Sequence, residues 1–559
     1  MITGPRVPDE ILRGLQEATS AAQPQAPAPA PDGLESPFAP VAAGNGTRAE
    51  AADMYGAFSV ETFANGTPLS DTHEDAGGWL DYVDNFAAPN FWYQDANVQV
   101  WAYEQEYDNW EDTYGMDAVV AVYHSGHGVT HADGRYEALL GGTWDGRTRA
   151  SSDRMRLGDE QVRYVFWSTC QSLRVLDGHN PIRTWQPANL GFRMLFGYET
   201  DSLDHPDYGK AFWTHWQTGK SFSTAFMDAS WYDISTEQAP AVVACGATPE
   251  EARDRLYNER LFSSEAVSSD YWEWRWYNAA ASAMATRPRR FEIPAQVLTG
   301  RLARRRVDGR YADEVRAKLD VPVAGAAQAV HGRAGVSFLA RDGAARLAVQ
   351  ADGSFDAAFR APNHENTTAL GVGRAVAGAR DFAAYAGLGE GDLVLDRVLQ
   401  KWSAGGRSKG DGDLSAPRVT ETVVQFTQQL DGMPVLAPGR GQVSVSLDND
   451  GAVTAVRDTT RPVLELSSKS RRPAAEREPR RAPSPADARR GLDRAWERRM
   501  RGFLAHGRLP VGFAEVPGSA EIGYAIKGDE AVLTARREIS VDCGDGFTKR
   551  YRVEAPLAG

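Results

Sequence analysis

The chain has 559 residues and a formal net charge of −14, a length that calls for about three domains at roughly 100–200 residues each and a balance that argues against a nucleic-acid-binding surface as its main business. No apolar run of about 18 residues is present to span a bilayer with a helix. The three cysteines, Cys170, Cys245 and Cys543, are too few and too scattered for a disulfide framework or a cysteine-built zinc ribbon.

The opening residues, MITGPRVPDEILRG, lack the basic-then-apolar pattern of a signal peptide, so a cytoplasmic protein is expected, with export by an unrecognised route as the alternative. Residues 1–50 form an Ala/Pro-rich lead-in too poor in large apolar groups to fold alone. Residues 51–290 have a different texture. They hold 13 of the 15 tryptophans and carry 35 acidic against 18 basic side chains, a net −17 that leaves the remainder at +3. Short continuous apolar runs at 118–124, 162–168, 192–199 and 240–245 read as strands buried on both faces, which predicts a mostly parallel sheet with helices between. TPEEARDRLYNERLF (248–262) predicts a helix with Thr248 as N-cap, Pro249 in the first turn and Glu251 closing a capping box. The fold class is therefore α/β.

From about 291 to 466 the chain gains Arg, Ala and Gly. Over 419–464 it alternates apolar and polar residues, with turns expected at Asp431-Gly432 and Asp450-Gly451, a texture of antiparallel hairpins. A basic linker is expected over 467–484, and residues 485–559 read as one helix followed by a strand meander.

Two predicted strand ends carry chemistry, because ligands gather at the carboxyl ends of strands in a parallel sheet. One strand leads into Ser125-Gly126-His127-Gly128. The next core strand leads into Ser168-Thr169-Cys170-Gln171-Ser172. A cysteine at a strand mouth facing an imidazole can ionise and attack a carbonyl, and a glycine beside the histidine can present an amide to an oxyanion. Cys245 and Cys543 read as structural. His124, His127 and His131 do not form a metal set, since 124 and 127 point to opposite faces of a strand and no helical His-Glu-x-x-His occurs; no metal and no cofactor are expected.

This pair of motifs, in this order and spacing, resembles the caspase, metacaspase, legumain and gingipain group of cysteine peptidases over roughly residues 55–260. The resemblance implies a caspase-like sheet, His127 as general base and acid, Cys170 as nucleophile, and the N–H groups of Gly128 and Cys170 as the oxyanion hole. No third residue that would orient the pair is evident in the sequence. The acidic field of the body favours cationic substrates, so cleavage after basic residues is expected, with Asp201, Asp204 and Asp117 as candidate substrate-binding acids. The strand, Leu430-Asp431-Gly432-Met433-Pro434-Val435 turn and strand pair over 419–464 resemble the propeptide domain of fungalysin and thermolysin-type proteases. That implies a folding assistant or an intramolecular inhibitor in contact with the peptidase body. The dibasic pairs Arg471-Arg472, Arg480-Arg481 and Arg489-Arg490 are candidate autoprocessing sites. A protein or peptide substrate is the expected partner, with neither nucleic acid nor membrane. Two other readings stay open: a non-catalytic caspase-like binding protein, and another thiol acyl-transfer enzyme such as a transpeptidase or amidohydrolase.

Overall fold

The apolar runs become neighbours in one sheet. The computed structural model describes residues 34–38, 54–279, 285–332, 335–409, 414–467, 483–505 and 508–557. Its first body contains, in chain order, β1 (Tyr55–Ser59), α1 (Thr72–Val83), β2 (Phe91–Gln94), β3 (Ala121–Ser125), β4 (His127–Thr130), β5 (Tyr136–Trp144), β6 (Arg147–Ser151), β7 (Tyr164–Ser168) and β8 (Met194–Tyr198). Then follow α2 (Tyr208–Trp216), α3 (Phe222–Asp228), β9 (Pro240–Gly246), α4 (Pro249–Asn258) and β10 (Tyr271–Tyr277). Pairing runs β2–β1–β3–β7–β8, all parallel, and then turns antiparallel at β9 and β10.

Alternate side chains of these strands enter two separate cores, as the period of two requires. Tyr123, Phe166 and Phe196 pack beneath Trp79 and Phe212 of α1 and α2, with Phe166 and Phe196 stacked 4.1 Å apart. Val122, Val165, Trp167 and Leu195 fill the other face. Every residue of β1, β3, β7 and β8 is buried, which is why these segments read as unbroken apolar runs. Helix α4 starts as expected: Thr248 Oγ1 accepts the Glu251 N–H at 3.2 Å and Pro249 opens the first turn. Beyond β3 the chain leaves the main sheet, and β4, β5 and β6 form a small antiparallel sheet above its carboxyl end.

The sheet does not stop at residue 290. Later in the chain come α5 (Gly309–Leu319), an antiparallel meander within 328–358, α6 (Val372–Tyr385), β11 (Asp392–Arg407), β12 (Arg418–Leu430), β13 (Gln442–Asp448) and β14 (Val453–Asp458). Strand β11 pairs with β10 over seven residues, from Tyr271 opposite Arg407 to Tyr277 opposite Lys401. One continuous mixed sheet therefore crosses the boundary that composition places there. The hairpins form at Asp431-Gly432 and Asp450-Gly451, and Ala375, Ala379 and Ala383 of α6 pack on Val424, Val443 and Leu447.

The C-terminal residues build a second sheet with α7 (Pro485–Ala505), β15 (Glu521–Lys527), β16 (Glu530–Gly544) and β17 (Phe547–Pro556). Residues 299–302 and 463–467 join it as further strands beyond β16. The β16–β17 hairpin turns through Asp545 (φ 56°) and Gly546 (φ 86°), the left-handed pair that a tight antiparallel turn requires. Most of the lead-in, and Arg471-Arg472 and Arg480-Arg481 of the basic linker, lie outside the described residues. Within the lead-in, Phe38 bridges to Phe262 and Glu35 pairs with Arg260, so the stretch 34–38 docks on the first body. Arg489-Arg490 is helical, inside α7, so it is not part of an extended linker.

Candidate functional site

Strands β3 and β7 lie side by side with Ser125 opposite Ser168. His127 and Cys170 each stand two residues past those serines, at the carboxyl ends of adjacent parallel strands, which are spaced by roughly 4.8 Å. The two segments are fixed to one another. Gly126 N–H donates to the Ser168 carbonyl at 3.4 Å, Thr130 Oγ1 donates to the Gln171 carbonyl at 2.5 Å, and the hydroxyls of Tyr136 and Thr169 share a hydrogen bond of 2.8 Å. Gly128 is required for this closeness, since a Cβ there would lie 2.7 Å from Tyr136 Oη and 2.8 Å from Thr169 Oγ1. Gln171 takes a left-handed backbone (φ 53°) directly after the cysteine, a conformation that non-glycine residues adopt where the surroundings over-determine it, often at functional sites.

His127 is fully buried, and its Nε2 donates to the Thr67 carbonyl at 2.9 Å. That bond fixes the tautomer: the proton stays on Nε2 and Nδ1 is left as a lone-pair acceptor. Nδ1 has no hydrogen-bond partner among the described residues. The ring packs on Phe63 at 4.6 Å and meets Phe547 edge-on at 6.3 Å. Burial pulls the imidazole down to about 3, the charge of Lys549 adds to this, and the Thr67 bond opposes it. Thr67 thus supplies the orienting group that is not evident from the sequence.

Cys170 is likewise fully buried. Its Sγ receives the Ser202 N–H at 3.3 Å and lies 3.6 Å from Ser202 Oγ. Burial pushes the thiol up, Lys549 draws it down, and Asp201 raises it again. Burial thus acts against the charged form of both groups.

The three candidate acids divide. Asp201 lies at the site, accepting from Gln171 Nε2 at 3.0 Å. Asp204 is buried nearby, accepting from the Ser70 N–H at 3.1 Å with Arg499 at 3.8 Å. Asp117 does not belong to the site. It precedes β3, at the opposite end of the sheet, where its carboxylate accepts backbone N–H groups of Gly158, Glu160, Gln161 and Val162. With Glu111 and Asp112 it forms the one group of three carboxylates among the described residues that each bring an oxygen within 4.8 Å of the others. Burial lifts Asp117 to about 7 and Asp112 to about 6.

Asp75, on α1, joins the parts from below. It is fully buried and accepts from Tyr123 Oη (2.7 Å), Ser125 Oγ (2.8 Å), Ser168 Oγ (2.7 Å) and Gly209 N (2.9 Å). One carboxylate therefore ties together the two serines that precede the histidine and cysteine turns. His124 is a buried core residue, packed on Phe58 and Trp167 and bonded to Tyr103 Oη at 2.8 Å, and Cys245 is a buried core thiol receiving Asn189 Nδ2 at 3.2 Å. Cys543 does not stay apart from the site: it is half-buried beside Thr67, and the burial of its thiol pushes it up to about 12.

Asp71 lies at the rim with Arg499 at 3.4 Å. Burial raises its carboxyl to about 6, the nearby Asp204 adds to this, and Arg499 opposes it. A carboxyl raised in the folded state is stabilising while protonated, and loses that contribution as pH climbs through its folded value. The stability of the protein is therefore expected to fall between about pH 4, where an ordinary aspartate titrates, and pH 6. Asp71→Asn should remove that component, as urea midpoints measured across this range will show.

A cavity of about 710 Å³ lies elsewhere, lined by α2, by Asp356 and by the arginines of the second body. Its charges are matched: Lys220 with Asp228 and Asp356, Arg457 with Asp233, Arg461 with Asp529, and Arg440 with Asp352. It reads as a polar seam between bodies, not a reaction site.

The arrangement is a mixed α/β fold with a buried histidine and cysteine at neighbouring strand mouths. A family model for a domain of unknown function, DUF6345, matches residues 57–278, the span that carries both turns. No curated protein matches the chain, and no solved structure does.

Proposed function

We propose that the protein is a caspase-like cysteine endopeptidase that cleaves peptide bonds through His127 and Cys170, preferentially after basic residues. The observation that carries this reading is the placement of His127 and Cys170 just past the carboxyl ends of adjacent parallel strands, with the Nε2 proton of His127 committed to the Thr67 carbonyl and Nδ1 left as a lone-pair acceptor. The unpartnered nitrogen alone does not mark a catalytic histidine, since Nε2 of buried His124 is also without a partner among the described residues.

The chemistry follows from these groups. Nδ1 takes the Cys170 proton, and the thiolate attacks the peptide carbonyl. The oxyanion is received by the N–H groups of Gly128 and Cys170. As the C–N bond breaks, the imidazolium returns its proton to the leaving amine, and a thioester remains. Water, deprotonated by His127, then attacks the thioester, releasing the acid and the thiol. The Thr67 carbonyl stabilises the imidazolium in both halves of the cycle. Asp201 and Asp204 supply negative charge at the mouth for a lysine or arginine side chain.

Fluorogenic peptides ending in Lys, Arg or Asp separate the possibilities. Release from the Lys and Arg peptides by protein whose Cys170 is open to solvent, stopped by iodoacetamide on that cysteine, is expected. Equal release from the Asp peptide would sink the basic preference. Absence of release in a protein whose Cys170 is open to solvent would sink the peptidase reading.

A further inference from the structure

The groove over His127 and Cys170 is already filled. Strand β17 runs beside Ser202–Asp204, with the Asp204 N–H donating to the Arg550 carbonyl at 3.0 Å and the Arg550 N–H donating to the Ser202 carbonyl at 3.4 Å. Lys549 is 2 % exposed, and its Nζ donates to Ser202 Oγ at 3.1 Å, the same hydroxyl that lies against Cys170 Sγ. Among the described residues no carboxylate pairs with it directly, yet its charge acts on Cys170, His127 and Asp204. Phe547 covers the His127 ring. Around this strand, Arg499 lies on Asp71 and Asp204, Arg508 donates to Asn65 Oδ1 at 2.6 Å, and Arg552 donates to the Ile234 carbonyl at 2.9 Å. The strand is thus joined to the first body by backbone pairing, its Lys549, Arg550 and Arg552 reaching the Ser202 hydroxyl and the Glu237 and Ile234 carbonyls, while Arg499 of α7 meets the two rim acids.

We propose that this groove takes an extended lysine- or arginine-bearing peptide strand, held by backbone pairing to Ser202–Asp204, and that the chain's own Phe547–Pro556 strand occupies it and shuts the site. Extended peptides bind in this way elsewhere, with affinity from main-chain bonds and specificity from side-chain pockets. The proposal rests on the peptidase reading only for what the groove's ligand becomes; occupancy is a separate claim.

The pairing offers a selective lesion. Both main-chain groups of Arg550 face Ser202–Asp204, and in an antiparallel ladder a residue directs both groups to the same neighbour. Arg550→Pro therefore deletes a docking bond while sparing the β16 ladder, because proline lacks the N–H. Combined with Lys549→Ala in the full chain, it should raise the rate of iodoacetamide modification of Cys170 at least tenfold, read peptide by peptide by mass spectrometry, with buried Cys245 unchanged. A synthetic FTKRYRVEAP peptide should slow the reaction again, and the same peptide with Glu in place of its Lys and Arg should not. If the double variant fails to keep the native near-UV spectrum, Arg499→Ala and Lys549→Ala singly carry the test, with the same direction expected. Unchanged Cys170 reactivity in folded variants would overturn the proposal, as would equal protection by the two peptides. Faster alkylation without peptide hydrolysis would leave the groove in place and defeat the peptidase reading. Full hydrolysis by the unaltered protein, with Cys170 as reactive as in the variants, would do the reverse.

Discussion

Replacing Cys170 by alanine is expected to reduce hydrolysis of lysine- and arginine-terminated peptides by on the order of 10⁴-fold or more, since removal of a nucleophile leaves only what binding and oxyanion contacts supply. The comparison belongs in the Arg550→Pro background, where substrate can reach the groove. Alanine removes the sulfur that accepts the Ser202 N–H, but the flanking Thr169 and Gln171 keep their bonds to Tyr136 and Asp201, so the fold should survive. His127→Ala should cost about 10²–10⁴-fold, the usual worth of a positioned base and acid. The two losses should not add, because the residues act on one proton. A double variant no slower than Cys170→Ala alone is the expected sign, and a Cys170→Ala protein that keeps its rate ends the mechanism. The pH profile adds a check. In the closed state burial holds His127 down to about 3 and pushes the Cys170 thiol up. Freeing the groove readmits water, so the rate should acquire a rising limb at a higher pH than 3 as the imidazole regains its ordinary basicity.

The second large effect concerns stability. Asp75→Ala removes the acceptor of four hydrogen bonds at a fully buried point. An unsatisfied buried donor costs about 1–3 kcal/mol, but the three hydroxyls can rotate toward other acceptors. A net loss of about 3–5 kcal/mol is expected, at the level seen when a buried polar network is broken. Urea unfolding gives the midpoint shift. Asp75→Asn keeps one acceptor oxygen and should lose less than half as much, because burial already raises the carboxyl of Asp75 toward its neutral form. An alanine variant within 1 kcal/mol of the parent would show that the hub does not hold the serines.

Much of this was legible from residue patterns, and the parts that were not have physical reasons. The parallel strands announce themselves because both of their faces are buried, so the runs at 118–124, 162–168 and 192–199 carry almost no polar interruption. The two turns were legible because strand ends are where a parallel sheet exposes chemistry. The Thr67 carbonyl was not, since every residue owns a carbonyl and only the fold brings this one across 60 positions to His127. Nothing in the sequence sets Asp75 apart from other acids, because its role depends on three hydroxyl groups from two strands. Asp117 was misjudged on charge alone; its place before β3 already set it at the wrong end of the sheet, where a carboxylate caps a turn. The boundary near 290 followed composition, but hydrogen bonding ignores composition, and β10 finds its partner in β11.

That last seam has a consequence for how the molecule could ever be opened. Residues Tyr271–Tyr277 read YWEWRWY, and β11 covers the whole outer side of that strand. Cutting away everything after residue 290 would leave an aromatic strand with a row of unmet amides, the kind of edge that recruits other chains into aggregates. The two halves therefore share one sheet at the seam, whereas at the groove they meet through the rim ion pairs, buried Lys549, the Arg550 bridge and the packing of Phe547 on His127. Under the proposed closure, opening the site lifts the C-terminal hairpin while the shared sheet stays whole, so the two parts remain one molecule.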